Sequence, residues 1–197
     1  LSTMQISVSG TTTNMLNALG TDAITGLTST QVSSLTASKV AALSSDQITA
    51  FTSKQVSGMT TGQLNTLTST QVGYLSTDAI AGLSTKAIAS MPTANFGYLT
   101  SDQLAVFGSA QLAAVTTDQL NGMTSAKMQS LTTSALAGLS TRQLSNLTGA
   151  RAAYLSSSQM AALSTTQIAG LTSTQTGSIT SDQLASISST QVAALST

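Results

Sequence analysis

The chain has 197 residues and zero net charge, and only 6% of its residues are charged, against about 25% in ordinary soluble proteins. It offers no basic face to neutralise phosphates, which argues against nucleic acid and against an anionic membrane surface as partners. It has no Cys or His, so there is no disulfide framework, thiolate, zinc set or Ser–His pair.

Read from the N-terminus, the chain opens with one eight-residue unit, Leu1 to Val8, followed by a two-residue insert, Ser9-Gly10. From Thr11 the period of eight never slips: 23 units run to Ala194, and Leu195-Ser-Thr starts another. Such a period means one small structural unit stacked on itself. The expected organisation is a single octapeptide-repeat solenoid over residues 1–197. The chain starts and stops inside the pattern without polar capping units, which suggests a segment of a longer array or a subunit whose ends are covered by copies of itself. The looser start around Ser9-Gly10 and Thr11 reads as a partial cap. No signal peptide is visible, and no apolar run reaches the ~18 residues that span a membrane. With 41% apolar residues at fixed positions, the chain does not read as a disordered tract.

The third unit from residue 11 sets the numbering: Leu27 is position 1 and Ser34 position 8. Position 1 is a large apolar residue in 22 of 23 units and position 6 is apolar in 22 of 23, the exceptions being Thr11 and Thr176. These positions are the expected core, exemplified by Leu27, Val32, Leu43, Ile48, Leu163, Ile168, Ile179 and Leu184. Position 2 is Ser or Thr in 20 units and position 5 is Gln in 14. Ser/Thr-x-x-Gln is a capping box: the hydroxyl accepts from the position 5 amide, and the Gln side chain reaches back to the position 2 amide. The pairs Thr28 and Gln31, Ser44 and Gln47, Thr68 and Gln71, Ser164 and Gln167, and Thr180 and Gln183 are expected helix caps. All six Asp (22, 46, 78, 102, 118, 182) sit at position 4, in the first helical turn, where the macrodipole favours an anion. Gly occupies position 8 in six units, which reads as a left-handed helix stop.

The prediction is therefore an all-α solenoid of short capped helices, one per repeat. A continuous helix is disfavoured because a stripe of period eight would need 4.0 residues per turn, not 3.6. A β-solenoid is the alternative, since Thr, Val and Ile suit strands; against it, positions 1 and 6 differ in parity and would fall on opposite faces of a strand. Five of the six position-8 glycines share one phase of a 16-residue count, which hints at two units per superhelical turn.

The remaining features carry little chemistry. All twelve charges lie at positions 4 or 5 and read as a solvated rim, with pairs such as Asp46–Lys54 and Asp78–Lys86, rather than a ligand stripe. Tyr74, Tyr98 and Tyr154 share position 8, as a sugar-stacking patch or as larger residues filling a wider turn. In the unit Met91 to Tyr98, Pro92 replaces the cap and Asn95 the Gln, which marks an irregularity or bend. Asn146-Leu147-Thr148 is a single glycosylation sequon. No catalytic, cofactor-binding or metal-binding residue is predicted, and the chain does not read as an enzyme.

Runs such as 163–175, Leu-Ser-Thr-Thr-Gln-Ile-Ala-Gly-Leu-Thr-Ser-Thr-Gln, resemble the low-charge Leu-Thr-x-x-Gln-Ile/Val arrays of very large bacterial surface and secreted, adhesin-like proteins. The resemblance covers nearly the whole chain. It implies an extracellular or cell-surface stalk, fibre or coat component without catalytic residues. The expected function is a spacer, stalk or self-assembling filament subunit whose partners are copies of itself, end to end or laterally, with no nucleic acid and no membrane insertion. The alternatives are an ice-binding or glycan-binding adhesin repeat. The ice-binding reading rests on Thr28-Ser-Thr30, Thr68-Ser-Thr70 and Thr172-Ser-Thr174.

Overall fold

A computed structural model describes residues 12–195. The opening unit Leu1 to Val8, the insert, Thr11 and the partial cap inferred from them lie outside the described residues. Among the described residues the secondary structure is 23 short helices, with no strand. The fold is an all-α solenoid of short helices, one per repeat.

Each helix starts where its cap places it. In helix Ser29–Ser34 the N-cap Thr28 is extended, at φ −74° and ψ 158°. Its Oγ1 accepts from the Gln31 N–H at 3.2 Å, and Gln31 Oε1 accepts from the Thr28 N–H at 2.8 Å. The same reciprocal box closes between Ser44 and Gln47, Thr68 and Gln71, Ser164 and Gln167, and Thr180 and Gln183. All six Asp lie in a first turn. Helices of four to six residues have no stability alone, so packing between successive turns must hold them.

The helix stop differs from the left-handed glycine expected at position 8. No described residue has a positive φ, and Gly26 is right-handed at φ −75°, ψ −9°. The chain leaves the helix one residue later, through an extended position 1 such as Leu35 (φ −64°, ψ 141°). That residue enters the core and leads directly into the next cap.

The chain divides into two compact units, Leu1–Gln103 and Leu104–Thr197. In the first, helix Ser45–Thr49 packs on Ser69–Tyr74, and Ser53–Ser57 on Thr77–Ala81. In the second, Ser109–Ala113 packs on Thr133–Leu136, and Ser157–Ala162 on Ser181–Ser186. Packed partners are thus three helices apart, not two, and the hint of two units per superhelical turn is overturned. Hydrogen bonds between turns join residues 25 to 31 apart, so one turn takes more than three and fewer than four repeats. The spacing of the glycines could not reveal this, because the reach between turns sets it.

Positions 1 and 6 fill the interior of both units. Leu27, Val32, Leu43, Ile48, Leu163 and Ile168 are all buried. Two expected core residues are not. Leu184 is 50% exposed and Ile179 only half-buried, because no described turn stacks over them. Thr176 tolerates position 6 because its Oγ1 donates to the Thr172 carbonyl at 3.0 Å.

Candidate functional site: a glutamine ladder between turns

Every buried polar or charged side chain among the described residues is a Gln at position 5. A buried carboxamide is costly unless all its hydrogen-bonding capacity is used, and here it is used. Gln55 Oε1 accepts from the Thr52 N–H at 2.9 Å and the Thr52 hydroxyl at 3.1 Å. Its Nε2 donates to the carbonyls of Ile24 (2.6 Å) and Leu27 (2.7 Å), one turn earlier. Two acceptor sites and two donors are satisfied together. No buried side-chain nitrogen or oxygen among the described residues lacks a partner.

The pattern recurs through both units. In the first, Gln47 reaches Leu16 and Leu19, Gln63 reaches Val32 and Leu35, Gln71 reaches Ala41 and Leu43, and Gln103 reaches Val72 and Leu75. In the second, Gln159 reaches Met128 and Leu131, Gln167 reaches Leu136 and Leu139, and Gln175 reaches Leu144 and Leu147. Each Gln therefore caps its own helix with its oxygen and ties down the end of an earlier helix with its nitrogen.

Gln183 closes the cap expected of it with Thr180, but its expected core neighbour Leu184 is not buried. The structure reverses their burial: Gln183 is 2% exposed and Leu184 50%. The reason is direction. Gln183 Nε2 points to the turn below, where it donates to the Leu155 carbonyl and to Ala153 O at 3.2 Å. Leu184 lies where no described turn covers it. Gln47, Gln71 and Gln167 likewise close the caps expected of them and are in addition buried and bonded to the turn before.

This second task of the glutamines was not read from the sequence, although a signal for it exists. Capping boxes accept Glu as well as Gln, yet the six acidic residues are all Asp. A carboxylate would cap its own helix but could not donate to the turn before.

Substitutions at position 5 show what the ladder needs. Asn95 is too short to serve both tasks, and Pro92 has no N–H to be capped. Asn95 Nδ2 goes only to the earlier turn, to Asn65 O at 3.1 Å and Leu67 O at 3.4 Å. The helix Thr93–Gly97 still forms in register. Arg151 replaces the amide with its guanidinium: Nε donates to the Asn121 carbonyl at 2.7 Å, and the group lies 4.9 Å from the Tyr154 ring centroid. The position 4 charges, such as Lys54 and Asp78, are exposed, whereas Lys39, Lys127 and Arg151 at position 5 are half-buried. The single solvated rim expected for the charges is therefore two different settings. Neither Asp46–Lys54 nor Asp78–Lys86 forms an ion pair.

Where position 5 is Ala, the turns close in. Ala79 and Ala135 are fully buried. In the same two units a methyl group at Gly82 would strike the Ser53 backbone, and one at Gly138 the Ser109 backbone. Beside a Gln the approach is somewhat looser: the nearest contacts are 2.7 Å at Gly58, to a Ser29 side-chain atom, and 3.0 Å at Gly170, to a Thr141 side-chain atom. Position 8 glycine thus serves close approach, not a left-handed stop.

No family model, curated protein or solved structure matches the chain.

A shallow groove of about 630 Å³ lies beside Phe51, Thr52, Ser53, Lys54, Asp78 and Gly82. Tyr74 and Tyr98 are exposed, whereas Tyr154 is half-buried beside Arg151. Asn146 is exposed, but its Nδ2 donates to Arg142 O at 2.7 Å, and Asn121 bridges to Asn146 O and to the Thr148 N–H. The hydroxyls of Thr28, Thr68 and Thr172 accept from their own helix amides; they are cap atoms rather than members of a regular hydroxyl rank.

Proposed function

We propose that this chain is a structural repeat region, a spacer, stalk or self-assembling filament subunit at a bacterial cell surface or outside the cell, of the adhesin-like kind its repeats resemble. The observation that carries this reading is the fate of position 5. Gln, the commonest residue at position 5, spends its buried side chain on groups of its own chain, so the chemistry the repeat preserves there is that of stacking. Adding repeats adds length, and each turn brings the bonds that hold it to the one before. The chain needs no cofactor and takes no nucleic acid. None of its described helices is long and apolar enough to cross a membrane.

Self-association, end to end or laterally, belongs to this reading because successive turns present the same apolar positions 1 and 6. Inside the stack those positions are sealed by the next turn, and a turn of a second copy carries the same residues. Electron microscopy of the purified chain tests this. Fibres or end-joined rods are expected. Particles that remain single at high concentration would remove the filament reading, and particles with no elongated form would remove the spacer reading as well.

A further inference from the structure

We infer that the first unit contains a predetermined opening seam, between the turn carrying Ile48 to Leu67 and the turn carrying Ala79 to Asn95. Beneath it, four consecutive repeats carry Gln47, Gln55, Gln63 and Gln71, and Gln47, Gln55 and Gln63 tie their turn to the one below. Above it, the next three repeats carry Ala79, Ala87 and Asn95 at position 5, nearly a full superhelical turn. Side-chain bonds across it come from two asparagines at its far end: Asn95, and Asn65, whose Nδ2 reaches Ser90 O at 3.5 Å. The Phe51 and Met59 carbonyls, one turn below Ala79 and Ala87, have no hydrogen-bond partner among the described residues. The shallow groove is lined from both sides of the same seam, by Lys54 and Ser57 below and Ser76 and Asp78 above, so solvent already reaches its edge.

The energetics favour parting here. Opening a glutamine-bearing interface breaks two inter-turn bonds per repeat and exposes a carboxamide matched to its site. At Ala79 and Ala87, opening breaks close apolar packing and hydrates two carbonyls that lacked partners. In a nearest-neighbour stack the weakest interface sets where the array first parts. Under the pull a stalk experiences, the seam yields before its neighbours; this consequence rests on the spacer reading, whereas the seam itself does not.

Native-state trypsin digestion tests the seam with an internal control. Lys54, Lys86 and Arg142 all occupy position 4, and all are exposed. Lys54 and Lys86 flank the seam, while Arg142 lies in a turn covered by Gln159, Gln167 and Gln175. Cleavage after Lys54 or Lys86 is expected at least ~10-fold faster than after Arg142, the ratio that about two net hydrogen bonds supply. Ala87→Gln should reduce that preference, and joint replacement of Gln159, Gln167 and Gln175 by Ala should shift first cleavage to Arg142 or Arg151. Should the variants fail to fold, hydrogen exchange on the unmodified chain decides: the Ile80 and Ile88 amides should exchange faster than those of Leu144 and Ile168. Equal rates, or first cleavage at Arg142, would overturn the seam while leaving the spacer reading intact.

Discussion

Gln103 Nε2 donates to the Leu75 carbonyl at 2.7 Å, across 28 residues of chain. The same nitrogen reaches Val72 O at 2.8 Å, while its Oε1 accepts from the Thr100 N–H at 2.8 Å. One side chain thus closes the start of one helix and the end of another.

Gln103→Ala removes these bonds and leaves buried backbone groups unsatisfied, so it should destabilise the chain by about 2 kcal/mol. Gln167→Ala, which a purely local cap would tolerate well, should cost a similar amount, because Gln167 also holds Leu136 and Leu139. Gln129 is exposed at position 7, and Gln129→Ala should stay within about 0.5 kcal/mol of the parent. Thermal and urea melts of the three variants provide the comparison; equal costs at 103 and 129 would refute the inter-turn role.

Gln63→Glu keeps shape and oxygen acceptors but, once ionised, has no hydrogen to give the Val32 and Leu35 carbonyls. Burial against two carbonyls should raise the folded-state pKa of the new carboxyl above the ~4.3 of free Glu. The variant should therefore keep its stability below that pH and lose it as pH rises through the raised folded-state value. Melting temperature measured from pH 3 to 8 should fall with pH relative to the parent; a flat difference would contradict the burial of this site.

Two glycines separate close packing from mere helix flexibility. Gly138→Ala places a methyl group against the Ser109 backbone and should destabilise markedly. Nothing lies within 4 Å of a Cβ at Gly73, so Gly73→Ala should stabilise by about 0.5 kcal/mol through the unfolded state. Opposite signs in paired melts are expected.

Leu163→Asp buries a charge with no partner and should unravel the surrounding turns. Leu184→Asp, at a position half open to solvent, should change stability far less. Circular dichroism melts of both variants provide the comparison.

The period, the caps and the helical class were legible because each is local: Thr28 and Gln31 lie three residues apart, and their pairing needs only that spacing. The turn size was not. It depends on how far Gln55 reaches towards Ile24 and Leu27, which no count along the chain contains, and a 16-residue phase in the glycines pointed elsewhere. Gly82 was read as a left-handed stop because that is the commonest local reason for glycine after a helix. Its actual reason, the Ser53 backbone 29 residues earlier, is tertiary. Leu184 and Ile179 fit the core pattern as well as Leu163 does, but burial also requires a turn above. Gln183, beside Leu184, is buried because the turn it needs lies below, at Leu155. The absence of Glu beside 14 position-5 Gln residues was the one readable sign that the side-chain nitrogen has work of its own.

The inter-turn ladder is tested most directly by exchange of the glutamine side-chain amide protons, followed by NMR in deuterated water. The carboxamide protons of Gln63, Gln103 and Gln159 should be strongly protected, while those of exposed Gln129 exchange at the rate of a free side chain. Equal, unprotected exchange at all four would contradict a stack held together by its glutamines.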